Sequence, residues 1–295
     1  MKTIRLMFLS MFMSVLLISL VSCAQEIKPQ PDMKPAKIAL VLGAGASRGF
    51  AHVGVLKVLE SNNVPIHMIV GTSAGSFVGS LYAYGFNAYQ LQQISFNIQR
   101  NDIADFTVPD NGFLKGEKLE EYINKMVSKT PMENMRIPFY AVASNVLNGT
   151  EVVFARGNTG QAVRASCSIP GVFRPVKIND QYYVDGGVVS PVAVDAAKRL
   201  GADVVIAVDI SSKPETRSVD STMDTIMQSI SIMYSRISTY QTKNADIVIK
   251  PHVGHISSSD FSLKHEAVME GERAALEAMP KIKELLFRLK SEGRL

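Results

Sequence analysis

The chain has 295 residues, 46% hydrophobic and 20% charged, so it is long and apolar enough to bury a sizeable core. Its net charge of +4 falls to about +2 without Lys2 and Arg5, and there is no basic run or aromatic-interleaved basic patch, which argues against a nucleic-acid partner. With only two cysteines, Cys23 and Cys167, the fold must be held by its core rather than by a disulfide framework.

Lys2 and Arg5 precede an apolar stretch from Leu6 to Val21. This is the layout of a secretory signal, and it is short for a membrane span, which needs about 20 apolar residues. The ending Leu20-Val21-Ser22-Cys23 resembles a bacterial lipobox. The expectation is a lipoprotein signal peptide over 1–22 and lipidation of Cys23, anchoring the protein to a membrane surface without spanning it. The competing reading is an ordinary signal peptide with an incidental cysteine. Ala24 rather than Asp after Cys23 fits outer-membrane sorting in enteric bacteria. The expected location is the cell envelope, on the periplasmic side or at the outer membrane. Residues 23–36, with Pro29, Pro31 and Pro35, read as a tether, leaving one catalytic domain over 37–295.

Lys37–Gly43 is a continuous apolar run, as in a buried parallel strand. Gly43-Ala-Gly-Ala-Ser-Arg-Gly49 follows, then a helix from Phe50 to about Ser61. A Gly-rich loop at this point leaves backbone N–H groups free to hold an anion. Two uses compete, a dinucleotide cradle and an oxyanion hole. The Gly-x-Gly-x-x-x-Gly spacing is one residue too long for the dinucleotide fingerprint, and no acid ends the second strand. The loop is therefore assigned to the oxyanion role over Gly43, Ala44, Gly45, Ala46 and Arg48, with N–H groups near Gly45 and Ala46 as donors and Arg48 as a brace. His52 reads as a packing or surface residue.

His67–Val70 leads as a strand into Gly71-Thr-Ser-Ala-Gly75, and a small-residue helix follows. This is a Gly-x-Ser-x-Gly nucleophile elbow with Ser73 at the apex. Gly75, Gly79 and Ala83 share one helical face and allow close approach to the sheet. Between Phe86 and Lys129 the pattern is helical and mixed. Ile94, Ile98, Ile103, Phe106, Phe113 and Leu114 are candidates for an acyl pocket, with ordinary core as the alternative.

Ile137–Ser144 and Glu151–Ala155 read as strands joined by an Asn148-Gly149 hairpin turn, and Thr159–Ser166 as a short helix. Ser166 and Ser168 lie on no elbow and are read as structural. A strand pair around Asn179-Asp180 leads into Asp185-Gly186-Gly187. Val192–Leu200 is helical, Ala202–Ile210 a buried strand and Ser211–Asp220 a loop. Met223, Ile226, Met227, Ile230, Met233, Tyr234 and Ile237 share a helical face, behind a Ser221/Asp224 capping pattern. Core packing and a lid or lipid-facing surface compete for that face. Ile247–Ile249 is a last strand. From Leu263 the chain is helical, interrupted at Pro280. Alternating strands and helices make an α/β domain with a mainly parallel central sheet.

Ser73 needs a base. From the residues alone, Asp185 acting directly competes with a Ser–Asp–His triad using Asp185 or Asp209 and then His252 or His255. The triad is the default, because imidazole has the better-matched pKa. The blocks at 43–49, 71–75 and 185–187, in this order, resemble the three hallmark blocks of patatin-like phospholipases, and Arg164–Pro175 is similar to that family's block before the aspartate. The resemblance covers about 37–210 and is nearest to the bacterial branch resembling neuropathy target esterase. It implies a three-layer α/β/α fold and a Ser73–Asp185 dyad without histidine. It also implies an oxyanion hole in the Gly-rich loop, a lipid or other ester as substrate, and no metal or cofactor.

Overall fold

The computed structural model describes residues 34–107, 112–211 and 220–295. The expected signal peptide, Cys23, most of the tether and most of the Ser211–Asp220 loop lie outside the described residues. Ala36 is already part of the domain: it is buried, and its N–H donates to the Arg294 carbonyl at 2.7 Å.

The strands are β1 (Ile38–Leu42), β2 (Met68–Thr72), β3 (Phe139–Asn145), β4 (Glu151–Phe154), β5 (Val176–Ile178), β6 (Gln181–Asp185), β7 (Val204–Val208) and β8 (Ile247–Ile249). They form one sheet in the order β5-β6-β3-β2-β1-β7-β8, with β4 also paired to β3. The five strands from β3 to β8 in this order are parallel. At the other side β4 and β6 run antiparallel to β3, and β5 antiparallel to β6. Both hairpin signals hold. Gly149 has φ 70°, and Asn179 and Asp180 have φ 47° and 61°, the left-handed conformations that tight hairpins need.

The helices are α1 (Phe50–Ser61), α2 (Ala74–Tyr84), α3 (Ala88–Asn97), α4 (Glu117–Met126), α5 (Thr159–Ser166), α6 (Val194–Arg199), α7 (Thr222–Gln241) and α8 (Lys264–Ser291). β1 is apolar throughout because both its faces are covered. Ile38, Leu40 and Leu42 point into the larger core with α1 to α4 and α8, while Ala39 and Val41 point to the smaller core against α6. This is the three-layer α/β/α arrangement, unequally filled. α7 lies over the C-terminal ends of the strands, where Ile230 and Tyr234 pack with Ala44 and Ile169. No helix among the described residues is long and apolar enough to cross a membrane.

The register makes β1, β2 and β7 end level, with Leu42 opposite both Gly71 and Val208. The loops after β1 and β2 therefore emerge side by side, at the edge where open α/β sheets hold ligands.

One expectation is corrected. The C-terminal helix is not interrupted at Pro280; α8 runs unbroken through it. Proline removes the N–H that would bond the Leu276 carbonyl. Leu276 lies on the exposed face of the helix (59% exposed), where water can take the place of the lost donor, while buried Met279 and Ile282 anchor the helix on both sides.

α8 crosses α1 where each has a glycine. A Cβ on Gly54 would lie 1.9 Å from the Val268 carbonyl oxygen, and one on Gly271 would lie 2.0 Å from that of Ala51. Gly271→Ala forces the helices apart and should cost about 1–3 kcal/mol, as in other overpacked cores. A lower urea midpoint with an unchanged m-value is the expected result.

Candidate active site

β2 ends in Thr72, and Ser73 then adopts φ 54°, ψ −123°, a left-handed conformation that costs a serine about 1–3 kcal/mol. The surroundings hold it there. The Ser73 N–H donates to Ser166 Oγ at 2.9 Å, and that hydroxyl donates to the Val142 carbonyl at 2.6 Å. The Ser73 carbonyl accepts from the N–H groups of Ser76 and Phe77 as α2 begins. At Gly75 a Cβ would lie 1.9 Å from the Leu42 carbonyl oxygen, so only glycine lets α2 start against the end of β1. Ser166, read from sequence as structural, is the strut of the elbow.

Asp185 ends β6, which pairs with β3 along the same edge as β2 and directly beyond it: Thr72 lies opposite Val142 and Asp185 opposite Ala143, with β4 on the other edge. The two side chains meet where β2 and β6 abut along that edge, with Ser73 Oγ donating to Asp185 Oδ2 at 2.5 Å. Oδ1 accepts the Gly187 N–H at 2.7 Å. The Asp185 backbone is fixed by the Ser168 carbonyl at 2.8 Å and by Ser144 Oγ at 3.0 Å. Its side chain has no exposure. Burial pushes the carboxyl up to about 6, against the opposing effects of the Ser73 hydroxyl, the Gly187 N–H and the neighbouring Tyr234 hydroxyl.

The Gly-rich loop narrows the set of available donors. The N–H of Gly43 goes to the Val208 carbonyl, that of Ala44 to Pro191 and that of Arg48 to Gly45, at 3.0, 2.8 and 3.1 Å. Those of Gly45 and Ala46 have no acceptor within the described fold. The Arg48 side chain is buried and its Nε donates to the Ile256 carbonyl at 2.8 Å, the brace the sequence suggests. Ser47 ties the loop to the same segment through the Ser257 carbonyl at 2.7 Å. His52 is fully buried rather than a surface residue. Its Nε2–H donates to the Gly43 carbonyl at 2.8 Å, and burial lowers its pKa to about 4, so the ring is neutral.

The triad alternative is not assembled. All five histidines are accounted for, and none meets Ser73 or Asp185. His52 holds Gly43, His67 Nδ1 accepts the Ile38 N–H, and His265 stacks on Phe96. His252 is exposed, and His255 pairs with Glu266 at the surface. Asp209 is occupied by Lys250 and the Ser211 N–H. Among the described residues no three His, Cys, Asp or Glu side chains are grouped to hold a metal ion.

Ser73 and Ala46 open into a cavity of about 380 Å³. All six acyl-pocket candidates, Ile94, Ile98, Ile103, Phe106, Phe113 and Leu114, line it. Met223 and Met227 of α7 close one wall, and Ile230 and Tyr234 are buried beneath, so the apolar face of α7 is largely a cover over this site. Cys167 also lines the cavity, its thiol pushed up by burial and so kept neutral.

Ser166→Ala removes the partner of the buried Ser73 N–H without adding bulk. It should lower stability by about 1–3 kcal/mol and slow reaction of Ser73 with a fluorophosphonate. Denaturant unfolding and labelling rates on the same preparation check both.

The patatin-like phospholipase family model matches residues 40–198, just over half of the chain. A lysophospholipase NTE1 of Meyerozyma guilliermondii is 33% identical over 181 residues, 59% of this chain and 13% of that protein. An uncharacterized NTE family protein of Mycobacterium tuberculosis is 34% identical over 179 residues, covering 59% and 49%. Mouse patatin-like phospholipase domain-containing protein 6 is 33% identical over 187 residues, covering 61% and 14%. The matches thus span about half of the mycobacterial protein and a small part of the two longer ones. The crystal structure of VipD from Legionella pneumophila shares the fold, with a TM-score of 0.57, 11% identity and coverage of 84% of this chain and 67% of that one. With its elbow serine, buried aspartate and Gly-rich loop on this fold, the chain belongs to the patatin-like phospholipase family, in the branch that includes the NTE proteins.

Proposed function

We propose that the protein is a serine acyl hydrolase of lipid esters, of the phospholipase or lysophospholipase type. One observation carries this reading. Ser73 Oγ, hydrogen-bonded to a buried carboxylate, opens beside two unengaged loop N–H groups into an apolar cavity of about 380 Å³. At ~30 Å³ per water-sized group this is the volume of about a dozen such groups, comparable with much of one fatty acyl chain. The relatives named lysophospholipase support the substrate class.

In the mechanism, Asp185 takes the Ser73 proton as Oγ attacks the ester carbonyl. The N–H groups of Gly45 and Ala46 hold the oxyanion, and each such donor is commonly worth roughly a hundredfold or more in rate. Asp185 then returns the proton to the leaving alcohol. Water attacks the acyl-serine with Asp185 again as base and releases the fatty acid. Every proton moves between Ser73, Asp185, leaving group and water.

Fluorophosphonate labelling tests the assignment. Labelling at Ser73 should be lost in Ser73→Ala, fall by ~10²–10⁴-fold in Asp185→Asn, and survive in the His252→Ala/His255→Ala double variant. Dependence on either histidine would move the protein to the triad class, and an activity requirement for calcium would overturn the mechanism.

The raised pKa of Asp185 sets two pH dependences of known sign. The base works only when ionised, so kcat should fall as pH drops through about 6. The fold favours the protonated form, so this contribution to stability is complete below the unfolded value of 3.8 and is lost as pH rises through about 6. Asp185→Asn should therefore be more stable than wild type at pH 8 and converge with it near pH 4. Thermal unfolding across that range checks the sign.

We infer further that Cys23 is lipidated and holds the domain at a membrane surface in the cell envelope. The basic start, the apolar stretch Leu6–Val21 and the Leu-Val-Ser-Cys ending support this. Cys23→Ala should shift the full-length protein from the detergent phase to the aqueous phase on Triton X-114 partitioning.

A further inference from the structure

One buried polar group at the site is unused. Tyr234, on α7, is 6% exposed, and its hydroxyl makes no hydrogen bond of ordinary geometry although it lies close enough to Asp185 to favour the carboxylate's charge. Leaving a buried hydroxyl unpaired costs about 1–3 kcal/mol, so a place that keeps one calls for an explanation. The ring lies against Gly187, where a Cβ would come within 2.2 Å of Cζ and 2.5 Å of the hydroxyl oxygen. Gly187 is the residue whose N–H holds Asp185 Oδ1. The missing side chain at 187 thus lets the phenol reach the carboxylate neighbourhood. There the hydroxyl favours the Asp185 charge, while burial and that charge keep the phenol protonated. The groups that bear on Asp185 are then Ser73 from the elbow, the Gly187 N–H from its own turn, the Cys167 thiol after α5 and Tyr234 from α7. No lysine, arginine or histidine is among them.

With Ser73 free, the carboxylate already has two donors. Acylation changes this: the Oγ–C bond forms, the Ser73 proton departs with the leaving alcohol, and Asp185 loses the donor on Oδ2. Resting on the Ser73–Asp185 reading above, we propose that Tyr234 is a positioning residue that donates to Asp185 in the acyl-enzyme. It replaces the Ser73 hydroxyl and holds the ionised carboxylate toward the hydrolytic water. In the second half-reaction a water proton passes to Asp185, the water oxygen bonds to the acyl carbon, and the Oγ–C bond breaks as Oγ takes that proton. The Tyr234 proton never transfers. A hydrogen bond to a carboxylate is stronger than one between neutral groups, so the contribution is largest where Ser73 no longer makes one.

Tyr234→Phe keeps the ring on Gly187 and deletes only an unpaired hydroxyl, so the variant should unfold at the wild-type temperature or above. Pre-steady-state hydrolysis of p-nitrophenyl butyrate separates the half-reactions. Acylation should change little, deacylation should slow roughly tenfold, the worth of one charge-assisted hydrogen bond, and a p-nitrophenol burst near one equivalent should appear. The acid limb of kcat should move to higher pH, because the carboxylate has lost a donor. Wild-type deacylation with an unmoved limb would overturn the proposal, as would equal slowing of both half-reactions. Failure of the underlying reading looks different: wild type without Ser73 labelling, or Asp185→Asn with full activity, removes the dyad and this role with it.

Discussion

The site depends on a carboxylate buried away from bulk solvent. Asp185 has no exposure, and an ionised group in that position is costly unless donors replace its hydration. The Ser73 hydroxyl on one oxygen and the Gly187 N–H on the other do so. Balanced this way, the group is pushed only to about 6, which leaves it available as a base near neutrality. A carboxylate in water would be too weak a base for serine; the same group in the dry core without donors would stay protonated.

Bringing the two residues together along one edge of β3 leaves the Ser73 backbone strained, and that strain is supported from several directions. The left-handed Ser73 backbone is tied through Ser166 to the Val142 carbonyl of β3, so Ser73 and Asp185 are both referred to the same strand. The oxyanion loop is treated likewise. His52 from α1 pins the Gly43 carbonyl, while Ser47 and Arg48 tie the far end to residues 256 and 257. What is left over is the N–H groups of Gly45 and Ala46, and Ala46 lines the apolar cavity. A loop whose neighbouring donors are engaged cannot easily fold over to satisfy these two, and the proposed oxyanion role needs that kind of preorganisation.

α7 connects this chemistry to the cavity. Its inner face carries Met223 and Met227 on the cavity wall and Tyr234 against Gly187, so one helix touches both the cavity and the turn that holds Asp185. The core and cover readings of its apolar face are both partly met: Ile230 and Tyr234 are buried, whereas Met233 is 46% exposed.

Much of this was legible in the linear chain because the signals are local. An elbow needs glycine beside serine, a buried parallel strand is continuously apolar, and a tight hairpin needs residues such as Asn148-Gly149 that accept positive φ. Those requirements act within a few residues, so the elbow, the Gly-rich loop, most element boundaries and the α/β class follow from spacing and composition. Which candidate partner meets Ser73 does not follow, because Asp185, His252 and His255 lie more than a hundred residues from it in the chain and only the pairing of β2 and β6 along one edge of β3 brings one of them near. Pro280 misled for the same reason: whether a missing N–H breaks a helix depends on whether the freed carbonyl meets water. Ser166 as strut, His52 as loop pin and Tyr234 beside the base have no motif, since each acts through a partner distant in sequence. Local backbone chemistry decided what the pieces are; the packing of strands and helices decided which buried polar groups meet, and that is where the reactivity of Ser73 is set.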